Sequence, residues 1–81
     1  MSVRELPLDE SVMKNALQQG DSIILSVGEG DFTTKGHFIV VTGYTDEGFK
    51  VNDPNSYKNS EKLWTYERLS PQIKNLWAVN K

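Results

Sequence analysis

The run FIVVTGY, Phe38–Tyr44, is the strongest indication of structure in this chain, because unbroken β-branched and aromatic residues favour a strand. Both of its alternating faces are largely apolar, so we predict a central strand that is covered on both sides. Two further strands are predicted beside it: Ser22–Val27, and Phe49–Asn52 as a hairpin partner beyond a turn at Gly48. An antiparallel sheet is therefore the expected main element.

The sequence PLDESVMKNALQQGD predicts one helix ahead of the sheet. Pro7 suits a helix start, and Asp9 and Glu10 fit the first turn. For the C-terminal region we predict three short elements: extended chain at 63–65, one or two helical turns at 66–73 and a last strand at 76–79. The predicted class is α+β, an antiparallel sheet or half-barrel with one N-terminal helix.

The composition excludes several functional classes. Eighty-one residues make one domain at most, and nine basic residues scattered among eleven acidic ones predict no nucleic-acid partner. No apolar run approaches the ~20 residues of a membrane-spanning helix, and the charged N-terminus predicts no signal peptide. The absence of cysteine excludes disulfides and thiolate metal sites and leaves the compartment unknown. We expect no cofactor and no metal.

The chain has a single histidine, His37, where a glycine-bearing loop enters the apolar strand. Such a position can hold an imidazole at the rim of a cleft on a rigid backbone, which suits a general base, although a purely structural histidine would also fit. Asp53 could orient this ring through Nδ1–H, or could merely cap the turn that follows it. Asn52 is a rival polar partner.

Taken together, Gly36–His37–Phe38 and Asp53–Pro54 resemble the C-terminal half of C39-like cysteine peptidases, a papain-like group. The resemblance covers roughly residues 8–80. It implies that His37 and Asp53, 16 residues apart, are the catalytic histidine and the third member of the triad. It also implies the sheet-forming half of a papain-like fold, a peptide substrate, and support of the site by Gly36, Phe38 and Asn52.

The chain departs from this family pattern in one respect. The cysteine and an oxyanion-hole glutamine of the family lie in an N-terminal, largely helical half, whereas these 81 residues contain no cysteine, and Gln18 and Gln19 lie in the wrong segment. Several hydroxyls lie nearby in sequence, but none sits in a nucleophile elbow; they belong to Ser22, Ser26, Thr33, Thr34 and Thr42. We therefore expect no peptidase activity from the chain alone.

Three hypotheses follow. The chain is the C-terminal part of a C39-like peptidase, active only when joined to a cysteine-bearing half; or it is an inactive, peptidase-like module that binds peptides; or it is an unrelated small β-rich domain. Under the first two hypotheses, we expect the chain to bind the missing half or to associate with itself. The apolar surface for this contact would include Phe32, Trp64 and Trp77. The resemblance further implies a bacterial protein of the cell surface or of a peptide exporter.

Overall fold

The computed structural model describes residues 2–30, 32, 35–53 and 60–80. Thr33, Thr34 and the turn predicted from Pro54 onward lie outside these residues. The elements in chain order are β1 (Ser2–Glu5), α1 (Glu10–Gln18), β2 (Ser22–Val27), β3 (His37–Thr45), β4 (Gly48–Asn52), β5 (Leu63–Trp64), α2 (Tyr66–Leu69), a 3₁₀ turn (Ser70–Gln72) and β6 (Ile73–Asn80).

Six strands form one open sheet in the order β1-β6-β2-β3-β4-β5, and every neighbouring pair is antiparallel. The α+β class and the antiparallel sheet are confirmed. β1 was not predicted, because its four exposed residues contain one apolar side chain and it owes its strand conformation to pairing with β6, where Ser2 lies opposite Asn80. The last strand is longer than the predicted 76–79, because Ile73 and Asn75 also pair with β2 and Asn80 pairs with β1.

The hydrophobic core lies on one face of the sheet, which we call the inner face. In β2, buried side chains alternate with partly exposed ones, as the period of two in a strand requires. α1 packs over β2 and β3 and contributes Met13 and Ala16 to this core. The other buried apolar residues are Ile23, Leu25, Val27, Phe32, Ile39, Val41, Phe49, Val51, Trp64, Leu69, Ile73, Leu76 and Ala78.

The opposite, outer face is open at β3. Phe38 is 60% exposed there and lies beside Trp77, with ring centroids 6.4 Å apart. The prediction that this strand is covered on both sides is therefore wrong: α1 covers the inner face, and Phe38 is exposed on the outer face. The expectation of exposed aromatics is wrong for Phe32 and Trp64, which are buried against each other with ring centroids 4.5 Å apart.

A β-bulge in β3 changes which residues face the core. Val41 lies opposite Val51, but Gly43 already lies opposite Lys50, so Thr42 is the extra residue. Strict alternation would group Tyr44 with Phe38 on the outer face. The bulge instead places Tyr44 opposite the buried Phe49, on the inner face, where its hydroxyl accepts a hydrogen bond from Gln18 of α1.

α1 begins later than predicted. Asp9 has extended backbone angles and is the N-cap, since its carboxylate accepts hydrogen bonds from the backbone amides of Ser11 and Val12 at 2.8 and 3.2 Å. Glu10 is the first helical residue, so Pro7 precedes the helix. In the portion of the chain that the structure covers, no helix has the length and apolar character needed to cross a membrane.

We predict that Gly48→Ala destabilises the protein by at least roughly 1–3 kcal/mol, because Gly48 has a φ of +151° that side chains rarely adopt. A Cβ at this position would also lie 2.7 Å from the backbone carbonyl oxygen of Trp64 in the neighbouring strand. Urea denaturation would measure the loss in the free energy of unfolding.

Gly43→Ala is the matched control. Gly43 lies in the same sheet, has no positive φ, and a Cβ there would meet no heavy atom within 4 Å. We expect its effect to stay within about 0.5 kcal/mol. Equal losses for the two substitutions would contradict this account of the β3–β4 turn.

Candidate catalytic site

The antiparallel pairing of β3 and β4 brings His37 and Asp53 to the same end of the sheet. His37 is the first residue of β3, and Asp53 directly follows the last residue of β4. Val41 lies opposite Val51 on the inner face, and steps of two residues lead from this pair to His37 in one strand and to Asp53 beyond the other. Both side chains therefore point to the inner face.

The two side chains are in direct contact, with Nε2 of His37 3.1 Å from Oδ1 of Asp53. The contact is made by Nε2 rather than by Nδ1, which corrects the expectation from the sequence. An ionised carboxylate only accepts hydrogen bonds, so Nε2 carries the proton of this bond. In the neutral ring the lone pair then lies on Nδ1, and this is the nitrogen able to take up a proton.

The two partners differ in burial. The Asp53 side chain is fully buried, whereas that of His37 is 17% exposed. A carboxylate without solvent contact depends on donors from the protein, because its desolvation costs several kcal/mol. The imidazole supplies one such donor and keeps some access to solvent.

Ser60 also belongs to this site, and the sequence did not point to it. Its hydroxyl accepts a hydrogen bond from the Asp53 backbone amide at 2.8 Å and donates to the Asp53 carbonyl oxygen at 3.3 Å. Because both contacts are to backbone, no side-chain pattern could have indicated them.

Two of the three predicted supporting residues lie on the other face of the sheet from the pair. Phe38 and Asn52 are exposed and alternate with the inward-facing residues, so their side chains lie on the outer face and the structure does not bring them to the pair. Gly36 precedes His37 and is exposed, and the nearest atom to a Cβ there would be the Val27 carbonyl oxygen at 3.9 Å. Space alone does not require glycine at this position.

Three of the five hydroxyls considered from the sequence lie in the described part of the chain, and they are not placed as a substitute nucleophile. Ser22, Ser26 and Thr42 lie on the outer face, on the other side of the sheet from His37. Where the structure describes the chain, no three His, Asp or Glu side chains gather closely enough to hold a metal ion.

A cavity of about 150 Å³ lies at the opposite end of β3 from His37. It is bounded by the β3–β4 turn, the first half of α1 and the start of α2, and acidic side chains such as Asp46 and Glu67 line it. This cavity is therefore separate from the His37–Asp53 pair.

We predict that His37 and Asp53 are energetically coupled. His37→Ala should lower the free energy of unfolding by roughly 1–3 kcal/mol or more, because it leaves a buried carboxylate one donor short. In the double variant with Asp53→Ala, the loss should be smaller than the sum of the single losses, by roughly 0.5–3 kcal/mol. Urea denaturation of the four proteins at neutral pH measures this difference.

Asp46 provides the control cycle, because it is exposed in the turn at the other end of β3. His37→Ala and Asp46→Ala should be additive within about 0.5 kcal/mol. Additivity in the Asp53 cycle as well would mean that the contact contributes nothing to stability.

Comparison with known proteins identifies a family for this chain. A search of curated proteins found no match, and a search of solved structures found none either. Residues 6–81 match the Peptidase_C39 like family. The match includes His37, Asp53 and all strands except β1. With nearly its whole length matched, this chain belongs to the Peptidase_C39 like family.

Proposed function

We propose that this chain provides the base and the orienting carboxylate of a C39-like cysteine peptidase site that hydrolyses peptide bonds. The observation that carries the proposal is the 3.1 Å contact between Nε2 of His37 and Oδ1 of Asp53 at the end of the sheet. Because the 81 residues contain no cysteine, the nucleophilic thiol has to come from a segment outside them.

In the proposed reaction, Asp53 holds the proton of the neutral imidazole on Nε2, so Nδ1 of His37 accepts the proton of the thiol. The imidazolium that forms is stabilised by the buried carboxylate, which keeps the thiolate available for attack on the peptide carbonyl. The same imidazolium then returns its proton to the leaving amine. Asp53 remains ionised throughout.

We propose the sheet-forming half of a papain-like fold as the architecture. An antiparallel sheet with α1 on its inner face and a histidine at one end supports this assignment. In such a fold a cysteine-bearing half would pack at the sheet end where His37 lies. The 81 residues would then be a half-domain of the complete peptidase.

The absence of cysteine also favours a second candidate, an inactive module that binds peptides. All four residues of β1 are exposed on an edge of the sheet, and such an edge can pair with an extended peptide. Tight peptide binding without turnover would distinguish this module from the half-site. The family match leaves no support for an unrelated small β-rich domain.

We predict that the pure 81-residue chain hydrolyses no peptide, because it has no thiol. The coding sequence upstream of Met1 then decides between the candidates. If it encodes a cysteine-bearing segment, the continuous polypeptide should hydrolyse peptides, and His37→Ala should reduce kcat by roughly 10²–10⁴-fold. Asp53→Asn should also reduce kcat, since it removes the charge that stabilises the imidazolium.

Asp46→Asn is the matched control, as it makes the same chemical change at the far end of β3. Its kcat should equal that of the unchanged protein. Steady hydrolysis by the 81-residue chain, abolished by His37→Ala, would reveal a different nucleophile. Full activity of the longer polypeptide after His37→Ala would contradict the proposed base.

A further inference from the structure

Asp53 lies just beyond the end of β4, so its backbone is not fixed by the strand pairing that orients the residues before it. β4 ends at Asn52, and its last described pair with β3 is Asn52 with Val40. Asp53 lies one residue beyond this end and is nevertheless buried, with 3% of its surface exposed. A buried backbone amide at this position needs a partner from elsewhere in the chain.

Ser60 supplies that partner. Its hydroxyl accepts from the Asp53 amide at 2.8 Å and donates to the Asp53 carbonyl oxygen at 3.3 Å, seven residues away in sequence. The amide belongs to the peptide plane before the Asp53 Cα, and the carbonyl belongs to the plane after it. One hydroxyl therefore restrains both backbone dihedrals of Asp53.

Fixing these two dihedrals fixes the direction of the Asp53 Cα–Cβ bond, and with it the region that the short side chain can reach. The Oδ1 atom of this side chain meets Nε2 of His37 at 3.1 Å. A catalytic pair needs its geometry held to within ~0.5 Å by surrounding contacts. The Ser60 hydroxyl is placed to provide that restraint.

We propose that Ser60 is a positioning residue of the site, which acts by holding the Asp53 backbone so that the carboxylate meets His37. The inference rests on the proposed function of the pair as base and orienting group. Ser60 itself performs no chemistry. Threonine should replace it because it keeps the hydroxyl, and alanine should not.

The test follows the ¹⁵N resonances of the His37 ring, detected through its carbon-bound protons in the 81-residue chain. His37 is the only histidine, so the ring signals need no further assignment. Asp53→Asn should move the Nε2 resonance, because a neutral amide oxygen is a weaker acceptor than a carboxylate. Ser60→Ala should move it in the same direction, and Ser60→Thr should keep it at the wild-type position.

Thr65→Ala is the matched control. The Thr65 hydroxyl also accepts a hydrogen bond from a backbone amide, that of Arg68 at 3.2 Å, but this bond caps α2. Thr65 lines the cavity at the opposite end of β3 from His37. Its loss should lower the melting temperature and leave the His37 resonances unchanged. If Ser60 had a purely structural role, Ser60→Ala would likewise lower the melting temperature and leave the His37 resonances unchanged.

The outcomes separate the two proposals. A folded Ser60→Ala protein with wild-type His37 resonances, while Asp53→Asn moves them, overturns the role of Ser60 and leaves the pair intact. Unmoved resonances in Asp53→Asn overturn the pair itself. If Ser60→Ala does not fold, Ser60→Cys decides, because a thiol is a weak donor and acceptor: a displaced Nε2 resonance supports the positioning role, and a wild-type one overturns it.

Discussion

The antiparallel register between β3 and β4 determines where the candidate site forms. It places the start of β3 beside the end of β4, and it aligns Val41 with Val51 on the inner face. From Val41 back to His37 the alternation is unbroken, because the bulge at Thr42 lies on the other side of this pair. A bulge between Val41 and His37 would have turned the imidazole to the outer face, away from Asp53.

Two aspartates in the described part of the chain, Asp21 and Asp53, are buried, and each has a different kind of partner. Asp21 is buried beside the Arg4 guanidinium at 3.1 Å, a permanent cation, and this pair links β1 to the start of β2. Asp53 is buried beside the His37 imidazole at 3.1 Å, and this pair links the start of β3 to the residue after β4. The first contact is a fixed link between elements, whereas the second has the partners that the proposed proton transfer requires.

Local pattern was enough to predict the centre of the sheet, whereas His37 and Asp53 were paired through the resemblance of Gly36–His37–Phe38 and Asp53–Pro54 to a known family. β2 has the predicted bounds, and β3 and β4 extend the predicted strands by at most one residue at each end. The features that escaped prediction depend on distant or backbone partners. β1 forms through its pairing with β6, Tyr44 faces inward because of the bulge, and Ser60 joins the site through the amide of Asp53. The ring nitrogen of the contact could not be predicted either, because it depends on the three-dimensional approach of the strands.

Neutron diffraction from crystals of the 81-residue chain would test the central claim most directly, because it locates the proton between His37 and Asp53. At alkaline pD we expect this proton on Nε2, directed at Oδ1 of Asp53 across about 3.1 Å, with none on Nδ1. A proton on Nδ1, or a ring turned so that Nε2 no longer faces Asp53, would contradict the assignment of His37 as a base oriented by Asp53.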